Sequence, residues 1–296
     1  MNQEWTSLET ESWNPDIPDL GSLESLELAR VMNASDAEVA GAVAVALPQV
    51  GAAIDCIVRQ FRQGGRLFYI GAGSSGRLGV LDATECPPTF NVHPELVQAV
   101  MAGGTRAMFR SREGAEDDAE QGARDLENRG AKPPDVVVGI TASGSTPYVM
   151  GALAWVQRRG MIAVSLACNP DPAVRAVSDI CIAVNTGPEV LMGSTRLKAG
   201  TAQKMVLNML STGAMVGLGK TYRNLMVDMR PTNRKLKART TRIVALATGV
   251  AAGRAEQLLT EAHGDTKVAI AMELFGLKEP EARDRLRASN GILGRL

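Results

Sequence analysis

Short apolar runs alternate with longer amphipathic stretches through most of the chain. Five runs have the length of a strand and lack polar alternation, at 66–70, 96–101, 135–140, 161–167 and 179–184. Such runs are typical of strands buried on both faces of a parallel sheet. Helices are predicted between and after them, at 75–83, 105–129, 147–159, 171–177 and 194–220. The pattern predicts an α/β fold, a doubly wound parallel five-stranded sheet flanked by helices.

The two ends of the chain differ from this alternating region. Residues 1–20 are polar and contain two prolines, which predicts an extended arm that is also able to wrap a partner subunit. Helices follow at 22–32 and 35–62, and Pro48 is expected to kink or split the second. Residues 21–230 are therefore assigned to the sheet domain with its N-terminal helices.

Residues 231–296 contain no convincing strand and form a predicted C-terminal helical domain. Four helices are expected there, near 233–247, 252–262, 266–276 and 279–288. This domain shows no catalytic constellation. We expect a structural role for it, covering the main domain or a dimer seam.

A glycine-rich turn follows the first predicted strand. Gly71, Gly73 and Gly76 surround Ser74 and Ser75, and a helix begins directly afterwards. Free backbone N–H groups and the helix dipole make such a turn a phosphate site. The spacing also matches the dinucleotide fingerprint, but that interpretation requires an acid at the end of the second strand, and Glu95 lies before that strand. A small phosphate is therefore the favoured ligand.

A second hydroxyl-rich loop, 141–146, follows the third predicted strand and precedes Pro147. In doubly wound sheets, ligands bind at the carboxyl ends of strands near the switch point, so two such loops can converge on one phosphate. The alternative is that these residues only form turns and helix caps. The candidate phosphate-binding residues are Gly73, Ser74, Ser75, Gly76, Ser143, Gly144, Ser145 and Thr146.

Composition excludes several classes of function. Lys plus Arg and Asp plus Glu both total 32, which does not resemble the basic surface of a nucleic-acid-binding protein. The four cysteines form no CxxC pair and only two histidines are present, which argues against a metal site and for a reducing compartment. No signal peptide and no membrane-spanning run is evident, so we expect a cytoplasmic protein without membrane contact.

Carboxylates are the candidates for acid/base chemistry, because histidine is so scarce. Asp82 and Glu85 lie near the first loop, and a second acidic group occupies 113–118. Two carboxylates facing one sugar can divide the roles of acid and base. The alternative for 113–118 is a solvated acidic helix start favoured by the helix dipole.

Long motifs in these same regions resemble the N-acetylmuramic acid 6-phosphate etherase family. They are YIGAGSSGRLGVLDATECPPTF from Tyr69, EGAEDD at 113–118, VVVGITASGSTPYV from Val136 and GSTRLKAGTAQKMVLNMLST at 193–212. The resemblance implies a sugar isomerase (SIS) fold that binds phosphosugars, a C-terminal domain similar to ubiquitin-associated (UBA) modules, and a homodimer with sites near the seam. It also implies cleavage of the C3 lactyl ether to give N-acetylglucosamine 6-phosphate and D-lactate, without cofactor or metal.

The resemblance also implies roles for single residues. Glu85 matches the family's acid/base at the ether oxygen, and Glu116 matches the second essential glutamate, the base at C2. Lys198 and Lys204 are either near the substrate or on the surface. Two other functions are kept open: a non-catalytic phosphosugar sensor, which would not need both glutamates, and an aldose–ketose isomerase, which needs no acid for a C3 leaving group.

Overall fold

The structure is a computed structural model that describes residues 8–229 and 234–296. The chain divides into two compact units. The first extends to Thr84 and resumes from Glu95 to Ser211. The second contains Glu85–Pro94 and the chain from Thr212 onward.

The first unit is built on a five-stranded parallel sheet, as the apolar runs predicted. Its strands are β1 (Leu67–Gly71), β2 (Val97–Met101), β3 (Val136–Ile140), β4 (Ile162–Ala167) and β5 (Ile180–Ala183). The strand order is β2-β1-β3-β4-β5, with every pair parallel. All residues of β1 and β3 are buried, which explains their lack of polar alternation. The order reverses at β1, so the switch point lies between β1 and β3.

Three helices precede the sheet and four begin between or after its strands. They are α1 (Ser25–Asp36), α2 (Val39–Val45), α3 (Leu47–Arg62), α4 (Gly73–Phe90), α5 (Ala119–Asn128), α6 (Pro147–Arg158) and α7 (Lys198–Gly217). The predicted break near Pro48 is confirmed, since α3 begins at Leu47 with this proline in its first turn. Helix α4 is longer than predicted and continues past Pro87 and Pro88.

Two predicted helices are wrong. The stretch 105–129 contains a 3₁₀ turn at Thr105–Met108 and then α5, with an irregular loop between them. Gly114 interrupts the helical pattern there with a φ of +71°. The stretch 171–177 is a short 3₁₀ helix, Ala173–Val177, with Pro172 at its N-cap. The predicted N-terminal arm contains two 3₁₀ turns in its described part, Glu9–Glu11 and Leu20–Ser22.

The second unit is mainly helical, and it contains the helices that were predicted for the C-terminal part of the chain. A hairpin of β6 (Thr221–Tyr222) and β7 (Leu225–Met226), which the sequence did not predict, precedes α8 (Arg234–Thr248), α9 (Ala252–Glu261), α10 (Thr266–Phe275) and α11 (Glu279–Ala288). Val244, Leu258 and Ile270 are completely buried between these helices. The predicted domain boundary at 230/231 lies outside the described residues. The likeness to UBA modules stays a prediction.

No single helix in the described part of the chain is long and apolar enough to cross a membrane. Only the stretch 25–45 together with α3, bent by 61°, meets the length and composition criterion. Within the described ranges, no three His, Cys, Asp or Glu side chains are grouped so that they could hold a metal ion.

Candidate functional site

A cavity of about 280 Å³ lies in the first unit, at the carboxyl ends of β1 and β3. This is the switch point, where a doubly wound sheet binds ligands. Both predicted hydroxyl loops line it. The lining residues are Glu11, Ala72, Gly73, Ser74, Ser75, Glu116, Asp117, Ile140, Thr141, Ala142, Ser143, Thr146, Pro147, Gly193 and Thr195.

The first loop joins β1 tightly to α4. A Cβ atom on Gly76 would lie 2.6 Å from the Gly71 carbonyl oxygen, so only glycine allows this approach. The Gly76 N–H donates to the Ala72 carbonyl at 3.1 Å. The preceding amides of the first helical turn have no acceptor within the helix. Gly73, Ser74 and Ser75 therefore present free donors to the cavity, whereas Gly76 serves the close packing.

The second loop is held by its own hydroxyl groups. The hydroxyl oxygens of Thr141 and Thr146 are 2.7 Å apart, and the Gly144 N–H donates to Thr141 Oγ1 at 3.1 Å. Ser145 donates to Ser143 Oγ through both its N–H and its hydroxyl, each at 3.2 Å. The loop is thus preformed. Ser143 and Thr146 face the cavity, while Gly144 and Ser145 are not among the described residues that line it.

Glu116 lies in the irregular loop between the 3₁₀ turn and α5. Its backbone carbonyl accepts a hydrogen bond from the Tyr148 N–H at 2.9 Å, which ties the loop to the first turn of α6. Glu116 is exposed, and it lines the cavity together with Asp117. The alternative interpretation of this acidic stretch also has a basis in the structure. Asp118 is the N-cap of α5 and accepts a hydrogen bond from the Gln121 N–H at 2.9 Å.

Glu85 is separate from this set of residues. It lies on α4 with an exposed side chain, in the part of that helix that belongs to the second unit. It is not among the described residues that line the cavity. Of the predicted site residues, the structure therefore brings together Gly73, Ser74, Ser75, Glu116, Ser143 and Thr146.

A buried carboxylate holds α4 in place beneath the first loop. Asp82 is 6% exposed and accepts hydrogen bonds from Tyr69 Oη at 2.8 Å, Asn208 Nδ2 at 2.6 Å and Ser211 Oγ at 3.1 Å. Burial raises the pKa of Asp82, although these three hydrogen bonds oppose the rise. The network joins α4 to β1 and α7.

Helix α7 supports the first loop directly. The Ser75 hydroxyl donates to Gln203 Oε1 at 3.0 Å. Glu189 caps this helix by accepting from the Lys198 and Ala199 amides at 2.9 and 3.0 Å. The Lys198 side chain is buried, with its Nζ 3.6 Å from Glu38 Oε2, whereas Lys204 is exposed. Neither lysine is among the described residues that line the cavity.

Sequence reasoning missed several residues that line the cavity. Thr141 belongs to the second loop but was not selected as a site residue. Gly193 and Thr195 lie in the GSTR motif before α7, where they were recognised only as part of the family resemblance. Glu11 lies in the predicted arm, where no local pattern predicts a site.

Comparison with known proteins agrees with this geometry. The family model described as the glucokinase regulatory protein N-terminal SIS domain matches residues 49–157, and the SIS domain model matches residues 116–213. A protein of Streptomyces avermitilis named N-acetylmuramic acid 6-phosphate etherase is 52% identical over 99% of this chain and 94% of its own length. The chain belongs to the N-acetylmuramic acid 6-phosphate etherase family. The family predicted from the motifs is therefore confirmed.

Other similarities extend the same result. N-acetylmuramic acid 6-phosphate etherase 2 of Vibrio cholerae is 51% identical over 97% of this chain and 94% of its own length. The solved phosphoheptose isomerase of Francisella tularensis is 17% identical, with a TM-score of 0.52 over 66% of this chain and all of that one. The similarity to the isomerase structure shows that the chain has the SIS fold.

Proposed function

We propose that the protein is an N-acetylmuramic acid 6-phosphate etherase. It cleaves the lactyl ether at C3 of the sugar and gives N-acetylglucosamine 6-phosphate and D-lactate, a step of cell-wall amino sugar recycling. The observation that supports this most strongly is identity of about half of the residues with etherases over nearly the whole chain. The cavity supports it independently, because it joins two hydroxyl loops and a glutamate at the switch point.

The substrate phosphate binds at the two loops. The free amides at the start of α4, that of Ser75 included, and the hydroxyls of Ser74, Ser143 and Thr146 donate to its oxygens. None of the described residues that line the cavity is a lysine or an arginine. Backbone N–H groups, hydroxyls and the α4 dipole therefore provide the attraction for the dianion.

The reaction runs as an elimination followed by a hydration. Ring opening exposes an aldehyde at C1, which acidifies the proton on C2. Glu116 removes that proton, the C3–O bond breaks, and Glu85 donates a proton to the departing ether oxygen, so that lactate leaves. Water then adds to C3 of the unsaturated aldehyde while Glu85 accepts a proton from it, and a proton returns to C2. Both steps are acid/base chemistry, and the proposal needs no metal or redox cofactor.

The roles of the two glutamates have different support: that of Glu116 is supported by its position in the structure, and that of Glu85 only by the sequence motif. Glu116 is in the cavity, held through its backbone by Tyr148. The role of Glu85 rests on its match to the family motif. We also propose a homodimer with its sites near the seam, as the resemblance implies, and a cytoplasmic location.

The test is to incubate the purified protein with N-acetylmuramic acid 6-phosphate and to measure D-lactate and N-acetylglucosamine 6-phosphate by mass spectrometry. Equal amounts of the two products are expected. Binding of the phosphosugar without lactate release would favour the sensor alternative. Conversion to a ketose phosphate without loss of lactate would favour an isomerase, and either result would contradict the proposal.

A further inference from the structure

A short turn from the N-terminal region forms part of the cavity. We define the N-terminal turn as residues 8–12, which contain the 3₁₀ helix Glu9–Glu11. Thr10 is completely buried. Its N–H donates to Asn169 Oδ1 at 3.4 Å, and its hydroxyl oxygen accepts from Asn169 Nδ2 at 3.0 Å. The turn is therefore docked on the first unit.

Asn169 connects this turn to the second hydroxyl loop. Its side-chain amide also donates to the carbonyl oxygens of Ala142 and Ser143, at 3.2 and 3.0 Å. Ala142 and Ser143 both line the cavity. One buried side chain thus fixes both the N-terminal turn and the loop that is proposed to hold the phosphate.

This docking places the Glu11 carboxylate in the cavity beside Gly193. A Cβ atom at position 193 would lie 3.3 Å from Glu11 Oε2, and Gly193 has a φ of +74°. A larger residue there would be strained and would crowd the carboxylate. Burial raises the pKa of Glu11, and no hydrogen bond or charge from the described residues offsets that rise.

No hydrogen bond from the described residues to this carboxylate is seen, so water hydrates it when the cavity is empty. A ligand that displaces this water has to supply hydrogen-bond donors in its place. The phosphate and the lactyl carboxylate of the substrate are both anions and would be repelled. The remaining hydrogen-bond donors on the sugar are its hydroxyls and the acetamido N–H, which are neutral. Carboxylates accept hydrogen bonds from both kinds of group.

We propose that Glu11 is a sugar-binding residue, whose carboxylate accepts a hydrogen bond from a hydroxyl or the acetamido N–H of the phosphosugar. The proposal rests on the proposed function, since it assigns a ligand group within the same cavity. It makes the N-terminal turn a part of the binding site, in addition to the two loops and Glu116.

The experiment measures the binding of two ligands by calorimetry, N-acetylglucosamine 6-phosphate and inorganic phosphate. Glu11→Ala is expected to weaken sugar phosphate binding by about tenfold or more, the usual effect of losing a hydrogen bond to a charged group. Inorganic phosphate binding should not change, because the hydroxyl loops remain intact. Glu11→Gln keeps an acceptor and should lose less affinity. Glu9→Gln is the matched control, since Glu9 lies on the same turn but not among the described lining residues.

Thr10→Val provides a second variant, because it removes the hydroxyl that accepts from Asn169 and so loosens the turn. It should weaken sugar phosphate binding while inorganic phosphate still binds. Unchanged sugar phosphate affinity in Glu11→Ala would overturn the proposal. Equal loss for both ligands would also overturn it, since the turn would then only shape the phosphate loop.

Kinetics separate this proposal from the proposed function. With N-acetylmuramic acid 6-phosphate, Glu11→Ala should raise KM more than it lowers kcat. If the wild-type protein binds N-acetylglucosamine 6-phosphate but releases no lactate from the substrate, the etherase function fails while the binding comparison still decides the role of Glu11. If the wild type binds no sugar phosphate, both fail.

Discussion

At the scale of single residues, the central feature is a cavity that combines hydroxyl donors with carboxylates. Ser74, Ser143 and Thr146 provide hydroxyl donors. The carboxylates in the lining are those of Glu11, Glu116 and Asp117. This set suits a substrate with one anionic end and one reacting carbon that must lose a proton. Binding the anionic end requires hydrogen-bond donors, whereas removing the proton requires a base. The two hydroxyl loops provide the donors, and the irregular loop at 109–118, before α5, provides the carboxylates of Glu116 and Asp117.

Glu116→Gln should stop proton removal at C2 because the amide is not a base. In deuterium oxide, the C2 hydrogen of N-acetylglucosamine 6-phosphate should exchange about 10²–10⁴-fold more slowly than with the wild type, followed by NMR. Glu120→Gln is the control, since Glu120 is an exposed glutamate near Glu116 that is not among the described residues lining the cavity. Normal exchange in Glu116→Gln would assign the C2 base to another group.

Glu85→Gln should abolish lactate release while the protein stays folded, because an exposed position on α4 tolerates the isosteric amide. Exchange at C2 should continue, because Glu116 is unchanged. Lactate is measured by mass spectrometry and folding by the thermal unfolding midpoint. Glu120→Gln, at another exposed helical glutamate, is the control. Unchanged turnover in Glu85→Gln would remove this residue from the mechanism.

At the scale of elements, α4 connects the phosphate loop to the ATECPP motif and depends on Asp82 for its position. Asp82→Ala should leave the donors on Tyr69, Asn208 and Ser211 without their buried acceptor. The free energy of unfolding should fall by about 2–3 kcal/mol, measured by urea denaturation. Ser211→Ala, which removes only one of the three donors, is the control and should cost about 1 kcal/mol. A loss as small as that control for Asp82→Ala would show that the network does not hold the helix.

The pH dependence of stability follows from the same residue. The pKa of Asp82 is higher in the folded than in the unfolded protein, so the folded state binds more protons between those two pKa values. Wild-type stability should therefore rise, relative to Asp82→Asn, as the pH falls through the raised pKa. Urea denaturation of both proteins from pH 7 to pH 4 measures this difference. A fall in wild-type stability relative to Asp82→Asn on acidification would contradict the assigned direction.

Elements with a strong local pattern were predictable from the sequence. The strands followed from unbroken apolar runs, and the break at Pro48 followed from the loss of a backbone donor. The irregular loop within 105–129 could not be predicted in this way. Its polar residues suit a helix locally, and only Gly114 and the contact of Glu116 with α6 favour a loop. The burial of Thr10 depends on Asn169, 159 residues away, and local patterns hold no information about such a pair.

At the scale of the whole molecule, function depends on residues from distant parts of the chain. The motifs identified the family and both loops, and the sheet order then explained why those loops meet at one edge. The division of the chain into two units, by contrast, could not be predicted from the sequence. Helices α4 and α7 each begin in the first unit and end in the second, so no linker of altered composition marks the division.

The most direct test of the proposed elimination and hydration uses the purified protein and N-acetylmuramic acid 6-phosphate in oxygen-18 water. Mass spectrometry of both products shows which bond is broken. The label is expected at C3 of N-acetylglucosamine 6-phosphate, and none is expected in D-lactate beyond a control without enzyme, because water adds to the sugar after lactate leaves. Label in the lactate instead would mean attack at the lactyl carbon, and would contradict the mechanism.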